Sequence, residues 1–420
     1  MNKLRVGICG WGNVATGLFK TLQTNSVEIK KRSNLEIEII AIGARRDNPK
    51  YDPGNVIIER DIFKIIDHDI DVIVELIGGV DVARDLILKA LNAKKHVVTA
   101  NKAVIFNHGD ELFSVANKNG VKLLYESSVC AGTPIIKLLN QELAASKISK
   151  ISGMLNGTSN FILSNMEEGM EFEPTLKLAQ EKGYAEPDPS FDIEGTDAAH
   201  KIGILSSLAF GSSLPPKDFY IEGINGIHKD DFKYAYEMGY TIKHLAIAKS
   251  TKNNSIDLRA HPSLVKLDSY LANLKGVRNG IEVETDLLGT LHIAGSGAGQ
   301  EATASGVISD LIYLSDSKIR EVNNINESIE LIDFIDLDFQ YYFYIEASDV
   351  SGVMASISSI FANKDVSIES ISQKENLNDD LVAIIIITDP FKEKDYQELV
   401  DNLLELESVN KIRSIRIEPQ

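Results

Sequence analysis

The chain has 420 residues, more than one hydrophobic core usually organises, so two or three domains are expected. Hydrophobic residues make up 44% of the chain and charged residues 25%, a balance that is typical of globular proteins and argues against disorder. The formal net charge of −18 disfavours binding to nucleic acid or to an anionic membrane, because both carry negative charge.

Cysteine usage and hydropathy narrow the class of protein further. Cys9 and Cys130 are the only cysteines in the sequence, and no Cys or His spacing typical of structural zinc occurs. The N-terminus lacks the long apolar stretch of a signal peptide, and no segment reaches the length of a membrane span. We therefore expect a cytoplasmic protein that contacts no membrane.

The first predicted element is a buried strand over residues 4–9, followed by a glycine turn and an apolar-periodic helix over residues 14–22. The turn has the pattern Gly-x-Gly-x-x-Ala. Gly10 allows the tight turn and Gly12 lets a pyrophosphate approach the backbone, while the amides at the start of the following helix would receive phosphate. Asn13 and Val14, at this point of the chain, are therefore further candidate cofactor contacts. By itself the pattern is weak evidence, since a plain glycine turn would look the same.

Further strands are predicted over residues 35–42, 72–77 and 96–99, with a helix over residues 82–91. This alternation predicts a doubly wound parallel sheet of the Rossmann type. Arg45 and Arg46 follow the second strand, where folds that prefer NAD usually carry an acidic residue. The arginines favour the 2′-phosphate of NADP, and two solvated arginines are the alternative.

Thr99 and Lys102 come directly after the fourth strand, at the sheet edge where ligands bind in open α/β folds. Both are therefore candidate cofactor contacts. Lys102 could bind phosphate, polarise a carbonyl group beside a nicotinamide or simply be a surface lysine, and the sequence alone does not choose.

A segment rich in carboxylates, residues 183–201, is the second chemical signal. Its acidic residues are Glu186, Asp188, Asp192, Glu194 and Asp197. Asp197 and Lys201 are four residues apart on the helix that follows, so they should face each other. Fixed carboxylates could hold a substrate ammonium, and Lys201 could protonate a carbonyl oxygen if burial or another lysine lowers its pKa. An acidic loop with an ordinary surface ion pair is the alternative.

Five segments taken in order closely resemble homoserine dehydrogenases: the glycine turn and residues 97–102, 125–129, 155–160 and 183–189. The resemblance covers roughly the first 330 residues and implies reversible reduction of L-aspartate 4-semialdehyde to L-homoserine, in threonine, methionine and isoleucine biosynthesis. Hydride would pass directly from NADPH, with NADH as the alternative and no catalytic metal. By resemblance, Lys201 donates the proton with help from Lys102, Glu186 and Asp197 hold homoserine, and Asp192 is a second candidate for substrate binding.

The resemblance also carries over cofactor and ion contacts. Gly183 and Gly299 are implied to contact the cofactor, although Gly299 would equally suit a plain turn at a helix entrance. A structural sodium ion near the hinge is implied, bound largely through backbone oxygens. Its residues would be Glu126, Val129, Ala131 and Thr133. Thr133 departs from the family's usual aliphatic residue, which a carbonyl ligand tolerates.

The C-terminal part predicts a separate small domain. Residues 326–340 look like an acidic linker with a short strand, and residues 341–420 follow the order β-α-β-β-α-β. With the turn from Asp349 to Gly352, this part resembles an ACT domain, which implies an amino-acid effector such as threonine. A plain oligomerisation module is the alternative.

The predicted division is an α/β Rossmann domain over residues 1–136 with a return segment over about 295–325, and an α+β substrate and dimerisation domain over 137–294. A homodimer or homotetramer is expected from the resemblance. Two rival functions stay open: an NAD(P) oxidoreductase with another aldehyde substrate, and a non-catalytic amino-acid sensor on a dehydrogenase scaffold. The joint presence of Glu186, Asp197 and Lys201 argues against the first, and both lysines argue against the second.

Overall fold

The computed structural model describes residues 2–49, 51–251, 255–315, 330–378 and 380–419. The N-terminal part is a six-stranded parallel sheet with strand order β3-β2-β1-β4-β5-β6. Its strands are β1 (Asn2–Cys9), β2 (Leu35–Gly43), β3 (Ile57–Glu59), β4 (Val72–Glu75), β5 (His96–Thr99) and β6 (Leu123–Leu124). Its helices are α1 (Asn13–Thr24), α2 (Ser26–Ser33), α3 (Asp81–Asn92) and α4 (Lys102–Asn119).

This sheet confirms the predicted doubly wound fold class. The order reverses between β1 and β4, which opens a crevice at the carboxyl ends of these two strands. The predicted strands and helices lie within a few residues of their predicted bounds. The short strands β3 and β6 and helix α4 were not predicted, and neither was α2. None of its residues is buried, so it carries no apolar periodicity that a sequence could reveal.

The middle part is built on long antiparallel strands. They are β7 (Ile148–Met154), β9 (Tyr240–Ser250), β10 (Ile256–Lys266), β11 (Arg278–Thr285) and β12 (Gly289–Ser296), with the short β8 (Tyr220–Ile221) beside β10. Its helices are α5 (Gly157–Glu167), α6 (Phe172–Glu181), α7 (Ser190–Ile193), α8 (Thr196–Phe210) and α9 (Lys229–Glu237). Helix α8 packs on β7, β9 and β10 and also against α4, so it lies between the two sheets.

Helix α10 (Gln300–Leu314) then returns to the first sheet and packs along α1. The two helices approach closely at Gly17, where a Cβ atom would lie 2.3 Å from Gln300 Cγ. Gln300 Nε2 also donates a hydrogen bond to Thr16 Oγ1 at 3.1 Å. Residues 316–325 of the predicted return segment lie outside the described residues.

The C-terminal part has the predicted element order, with one additional short strand. Its elements are β13 (Asp338–Ser348), α11 (Val353–Asn363), β14 (Ile368–Asn378), β15 (Leu381–Thr388), β16 (Phe391–Lys392), α12 (Glu393–Leu404) and β17 (Val409–Ile417). Strand β17 pairs in parallel with β10, so the middle and C-terminal sheets are continuous.

The predicted linker over 326–340 is wrong at its C-terminal end. Strand β13 begins at Asp338, because Phe339 is buried in the C-terminal core, and Leu331 bridges Ile256. Residues 326–329 lie outside the described residues. Cys9 and Cys130 are free, buried thiols. Within the described ranges, no helix combines the length and hydropathy that crossing a bilayer requires.

Candidate active site

The crevice of the parallel sheet contains a cavity of about 490 Å³ at the N-terminus of α1. It is lined by Gly10, Trp11, Gly12, Gly43, Ala44, Arg45, Arg46, Ile62, Leu76 and Ile77. A Cβ atom at Gly12 would meet nothing within 4 Å, so the backbone there is open to a ligand. The first turn of α1 contains no acidic residue, and its free amides suit a phosphate. The cavity thus fits a dinucleotide and brings together four of the predicted contacts.

A buried carboxylate, Glu75, organises the neighbouring strand ends. Thr99 Oγ1 donates to Glu75 Oε2 at 2.6 Å, and the backbone amide of Ile77 donates to Glu75 Oε1 at 2.8 Å. Asn101 caps α4 through its side chain and also donates to the carbonyl of Gly79 at 2.6 Å. Because Lys102 is the first residue of α4, these bonds fix where its side chain starts.

Asp197 joins the two predicted catalytic lysines. Lys201 Nζ lies 2.7 Å from Asp197 Oδ2, and Lys102 Nζ lies 2.9 Å from Asp197 Oδ1. Lys201 also donates to the carbonyl oxygen of Leu155 at 2.6 Å. The Asp197 and Lys201 side chains are 4% and 8% exposed, whereas Lys102 is 30% exposed. The i,i+4 pair is therefore buried, and the surface ion pair that was its alternative is wrong.

Asn156 ties Asp192 to this cluster. Its Nδ2 donates to Asp192 Oδ1 and to Asp197 Oδ2, both at 2.7 Å. Its Oδ1 accepts from the backbone amide of Ser159 and so caps α5. Gly195 is the N-cap residue of helix α8, and its φ of +86° suits glycine. Asp197 lies in the first turn of α8, where a carboxylate complements the helix dipole.

The charges of the cluster control its pKa values. Burial alone would raise the pKa of Asp197, but Lys201 and Lys102 outweigh burial and hold it well below its usual range. Burial alone would lower the pKa of Lys201, but Asp197 outweighs it and the net pKa is raised. The sequence predicted a proton donor with a lowered pKa, so for Lys201 the direction of the shift is the opposite of the expected one. Burial raises the pKa of Asp192 and lowers that of His200 to about 4, so His200 is neutral at pH 7.

Other predicted site residues take no part in the hydrogen bonds of this cluster within the part of the chain that the structure describes. Glu186 is exposed between α6 and α7, and its backbone carbonyl accepts from Gln180 Nε2. Gly183, with φ +73°, lies in the turn after α6. Asn13 and Val14 are the first residues of α1, and Gly299, with φ +118°, precedes α10. None of these five residues is among those that line the nucleotide cavity.

The residues implied for a sodium ion form one buried loop after β6. Glu126 Oε1 accepts from the amides of Ile135 and Ile136, and Oε2 accepts from that of Lys137, so this carboxylate already has three donors. Cys130 and Ala131 have left-handed backbones, with φ of 55° and 53°. Thr133 Oγ1 is buried without a hydrogen-bond partner among the described residues.

Sequence reasoning did not select Asn156 or Asn279 as site residues. Asn279 Nδ2 donates at 2.7 Å to the Leu155 carbonyl that Lys201 also contacts. Asn156 had a local signal, since an Asn between a strand and a helix is a typical N-cap. Asn279 lies inside β11 and had none, because its role depends on the pairing of β11 with β7.

Family models match the two parts of the chain. The model described as "Homoserine dehydrogenase, NAD binding domain" matches residues 10–126, and the model described as "Homoserine dehydrogenase" matches residues 134–312. A homoserine dehydrogenase of Pseudomonas aeruginosa is 42% identical to this chain, and the alignment covers 100% of this chain and 99% of the relative.

Solved structures agree with these matches. The crystal structure of a homoserine dehydrogenase from Thiobacillus denitrificans has a TM-score of 0.92 at 37% identity, and the match covers 100% of this chain and 99% of that one. A hyperthermophilic archaeal homoserine dehydrogenase in complex with NADPH has a TM-score of 0.65 at 26% identity, with 76% of this chain and 99% of that chain covered. This chain, an oxidoreductase with a nucleotide-binding domain and a small-molecule substrate, therefore belongs to the homoserine dehydrogenase family.

Proposed function

We propose that Lys201 is the proton donor in the family's reaction, the reversible reduction of aspartate 4-semialdehyde to homoserine. The supporting observation is the fixed geometry of its ammonium group. Two of its three N–H donors are used, by Asp197 Oδ2 at 2.7 Å and by the Leu155 carbonyl at 2.6 Å. No acceptor for the third donor is found among the described residues, so this donor is available for the substrate oxygen. When bound, the nicotinamide supplies the hydride in one direction and accepts it in the other.

The raised pKa of Lys201 sets how the reaction depends on pH. At pH 7 the side chain is charged, because Asp197 outweighs the effect of burial, and it is ready to protonate the oxygen of the aldehyde. Oxidation of homoserine requires the neutral amine, so the rate in this direction should rise with pH. Lys102 is held by the same carboxylate and would support negative charge on the same oxygen.

Asp192 and Glu186 are the carboxylates proposed to hold the substrate ammonium. Asp197 already contacts two lysines, whereas Asp192 accepts from the neutral amide of Asn156 and keeps acceptor capacity. Glu186 is exposed in the loop that leads into α7, so its carboxylate is open to a ligand. Asp197 would then act mainly by holding the two lysines.

NADP is the proposed cofactor, with NAD as the alternative. Arg45 and Arg46 line the cavity beside Gly10 and Gly12, and both arginines are exposed, so they can meet a 2′-phosphate. The archaeal relative solved with NADPH supports the same choice. Thr99, Lys102, Gly183 and Gly299 remain proposed contacts nearer the nicotinamide.

A structural sodium ion is proposed at the loop of Glu126, Val129, Ala131 and Thr133. The two left-handed residues, Cys130 and Ala131, keep the backbone in a costly conformation that would turn carbonyl oxygens toward a cation. The buried Thr133 Oγ1 is a further oxygen that could coordinate a hard cation. The ion would be structural, and no proton or hydride step depends on it.

The remaining proposals concern organisation. We propose a Rossmann domain over residues 1–136 with its return over 295–325, a substrate and dimerisation domain over 137–294, and a C-terminal domain that resembles an ACT domain. This domain is proposed to bind an amino-acid effector such as threonine, in a homodimer or homotetramer. A cytoplasmic location is proposed because both cysteines are free thiols.

The test is oxidation of homoserine by the purified protein, followed at the nicotinamide absorbance with NADP and with NAD. Lys201→Met should lower kcat by about 10² to 10⁴-fold, the usual contribution of a general acid or base. Lys243→Met is the matched control, because Lys243 is also a buried lysine bonded to a carbonyl, that of Leu274. Full activity in Lys201→Met would overturn the assignment, and threonine titrated into the same assay tests the effector.

A further inference from the structure

The C-terminal domain holds the catalytic part through an arginine on β17. The side chain of Arg416 is 8% exposed, and its Nη1 lies 2.6 Å from Glu222 Oε2. Its other nitrogens contact Glu393 of the C-terminal domain, at 2.5 Å from Nη2 and 3.2 Å from Nε. A guanidinium bound on both sides in this way is a rigid connector between domains.

Glu222 belongs to a short stretch, residues 220–224, which we call the bridging segment. Tyr220 stacks on Phe334 with ring centroids 3.5 Å apart and donates to Glu222 Oε2 at 2.7 Å. The amide of Glu222 donates to the carbonyl of Ala260 on β10 at 2.8 Å. One side of the bridging segment is thus fixed by Arg416 and by β10.

The other side of the bridging segment packs on the turn between α7 and α8. His244 Nε2 donates to the Glu222 carbonyl at 2.9 Å, and the amide of Ile224 donates to the Ile193 carbonyl at 2.8 Å. A Cβ atom at Gly195 would lie 2.9 Å from His244 Nε2, and one at Gly223 would lie 2.3 Å from the Ile193 carbonyl oxygen. Because these contacts leave no room, the turn must follow any shift of the segment.

That turn positions the catalytic side chains, since Asp192 lies on α7 just before it and Asp197 and Lys201 lie on α8 just after it. We propose that Glu222 is a positioning residue for the Asp197–Lys201 pair, and that Arg416 of the C-terminal domain holds Glu222 in place. The inference rests on the proposed roles of Asp197 and Lys201. It gives the C-terminal domain a direct mechanical connection to catalysis.

The experiment measures homoserine oxidation by the full-length chain in four variants: Glu222→Ala, Glu222→Gln, Arg416→Gln and the double variant of Glu222→Ala with Arg416→Gln. Glu222→Ala and Arg416→Gln should each lower kcat/KM for homoserine by about 10-fold. The loss should reach about 100-fold if the Asp197–Lys201 pair moves by about 1 Å. The double variant should lose no more than the worse single one, because both changes break the same connection. Glu222→Gln, which keeps a hydrogen-bond acceptor, should lie between Glu222→Ala and wild type.

Arg413→Gln is the matched control, because Arg413 also lies on β17 and makes a cross-domain ion pair, but with Asp231 on α9, a residue outside the bridging segment. Its kcat/KM for homoserine should stay within about twofold of the wild-type value. The KM for NADP should stay within about twofold of the wild-type value in all variants. If Arg416→Gln fails to fold, Glu222→Ala decides, because that side chain is 41% exposed.

Three results would overturn the proposal: near-wild-type kcat/KM in Glu222→Ala, an equal loss in Arg413→Gln, or losses that multiply in the double variant. Failure of the proposed catalytic role would appear differently, as full activity in Lys201→Met. The two failures are therefore distinguishable in one assay.

Discussion

Asn156 donates to two carboxylates from one amide nitrogen, and Asn156→Asp tests whether this amide holds Asp192 and Asp197 together. The substitution keeps the side-chain shape and the oxygen that caps α5, since Asp and Asn are similar N-caps. It removes both donated hydrogen bonds and places a third carboxyl group against the other two. Any effect of Asn156→Asp should therefore come from the loss of the two donated hydrogen bonds and from the added carboxyl group.

The expected loss in free energy of unfolding follows from these two bonds. A buried hydrogen bond to a charged acceptor contributes about 1.5–3 kcal/mol, so losing two costs about 3–6 kcal/mol at pH 8. That is a large share of a typical stability of about 5–15 kcal/mol. At pH 5 the loss should be smaller, because one of the three carboxyl groups takes up a proton and restores a donor.

Urea unfolding at pH 5 and pH 8 measures both effects, and KM for homoserine should rise as the carboxylates move apart. Asn165→Asp is the control on the same helix, since Asn165 Nδ2 donates to the neutral Phe161 carbonyl alone among described atoms. It should lose about 1 kcal/mol. A loss in Asn156→Asp no greater than in the control, or one that is equal at both pH values, would refute the reasoning.

Two further predictions concern the glycine turn and a buried carboxyl group. Gly10→Ala should destabilise the fold by about 1–3 kcal/mol, because Gly10 has φ +105° and a Cβ there would lie 2.5 Å from the Leu76 carbonyl oxygen. Gly12→Ala should keep the unfolding midpoint, because a Cβ there would meet nothing within 4 Å, but it should raise KM for NADP. Thermal unfolding together with KM separates the two, and a stable Gly10→Ala would contradict the strain argument. Burial raises the pKa of Asp310 to about 6, although the nearby Lys137 acts in the opposite direction. Because this pKa lies above the ordinary value of 3.8, protonation of Asp310 stabilises the folded state fully below pH 3.8, and this contribution is lost as pH rises through about 6. Asp310→Asn lacks this titration, so its free energy of unfolding relative to that of wild type should increase by about 3 kcal/mol from pH 3.8 to pH 7. A difference in unfolding free energy that does not change with pH would contradict this prediction.

The sequence by itself determined the features that depend on neighbours along the chain. The parallel strands appear as short apolar runs because they are buried on both faces, and the glycine turn is encoded by residues 10–15 alone. The pairing of Asp197 with Lys201 also follows locally, since residues four apart share a helix face. Each of these could be predicted because its cause lies within a few residues.

Only the tertiary structure decided how distant residues meet. It brings Lys102 and Asn156 to Asp197, places Arg416 against Glu222, and reverses the expected direction of the Lys201 pKa. No spacing in the chain encodes these contacts, because they depend on which helices and strands pack together. The pKa direction depends on the same packing, since burial and the nearby carboxylate oppose each other and their distances decide which prevails.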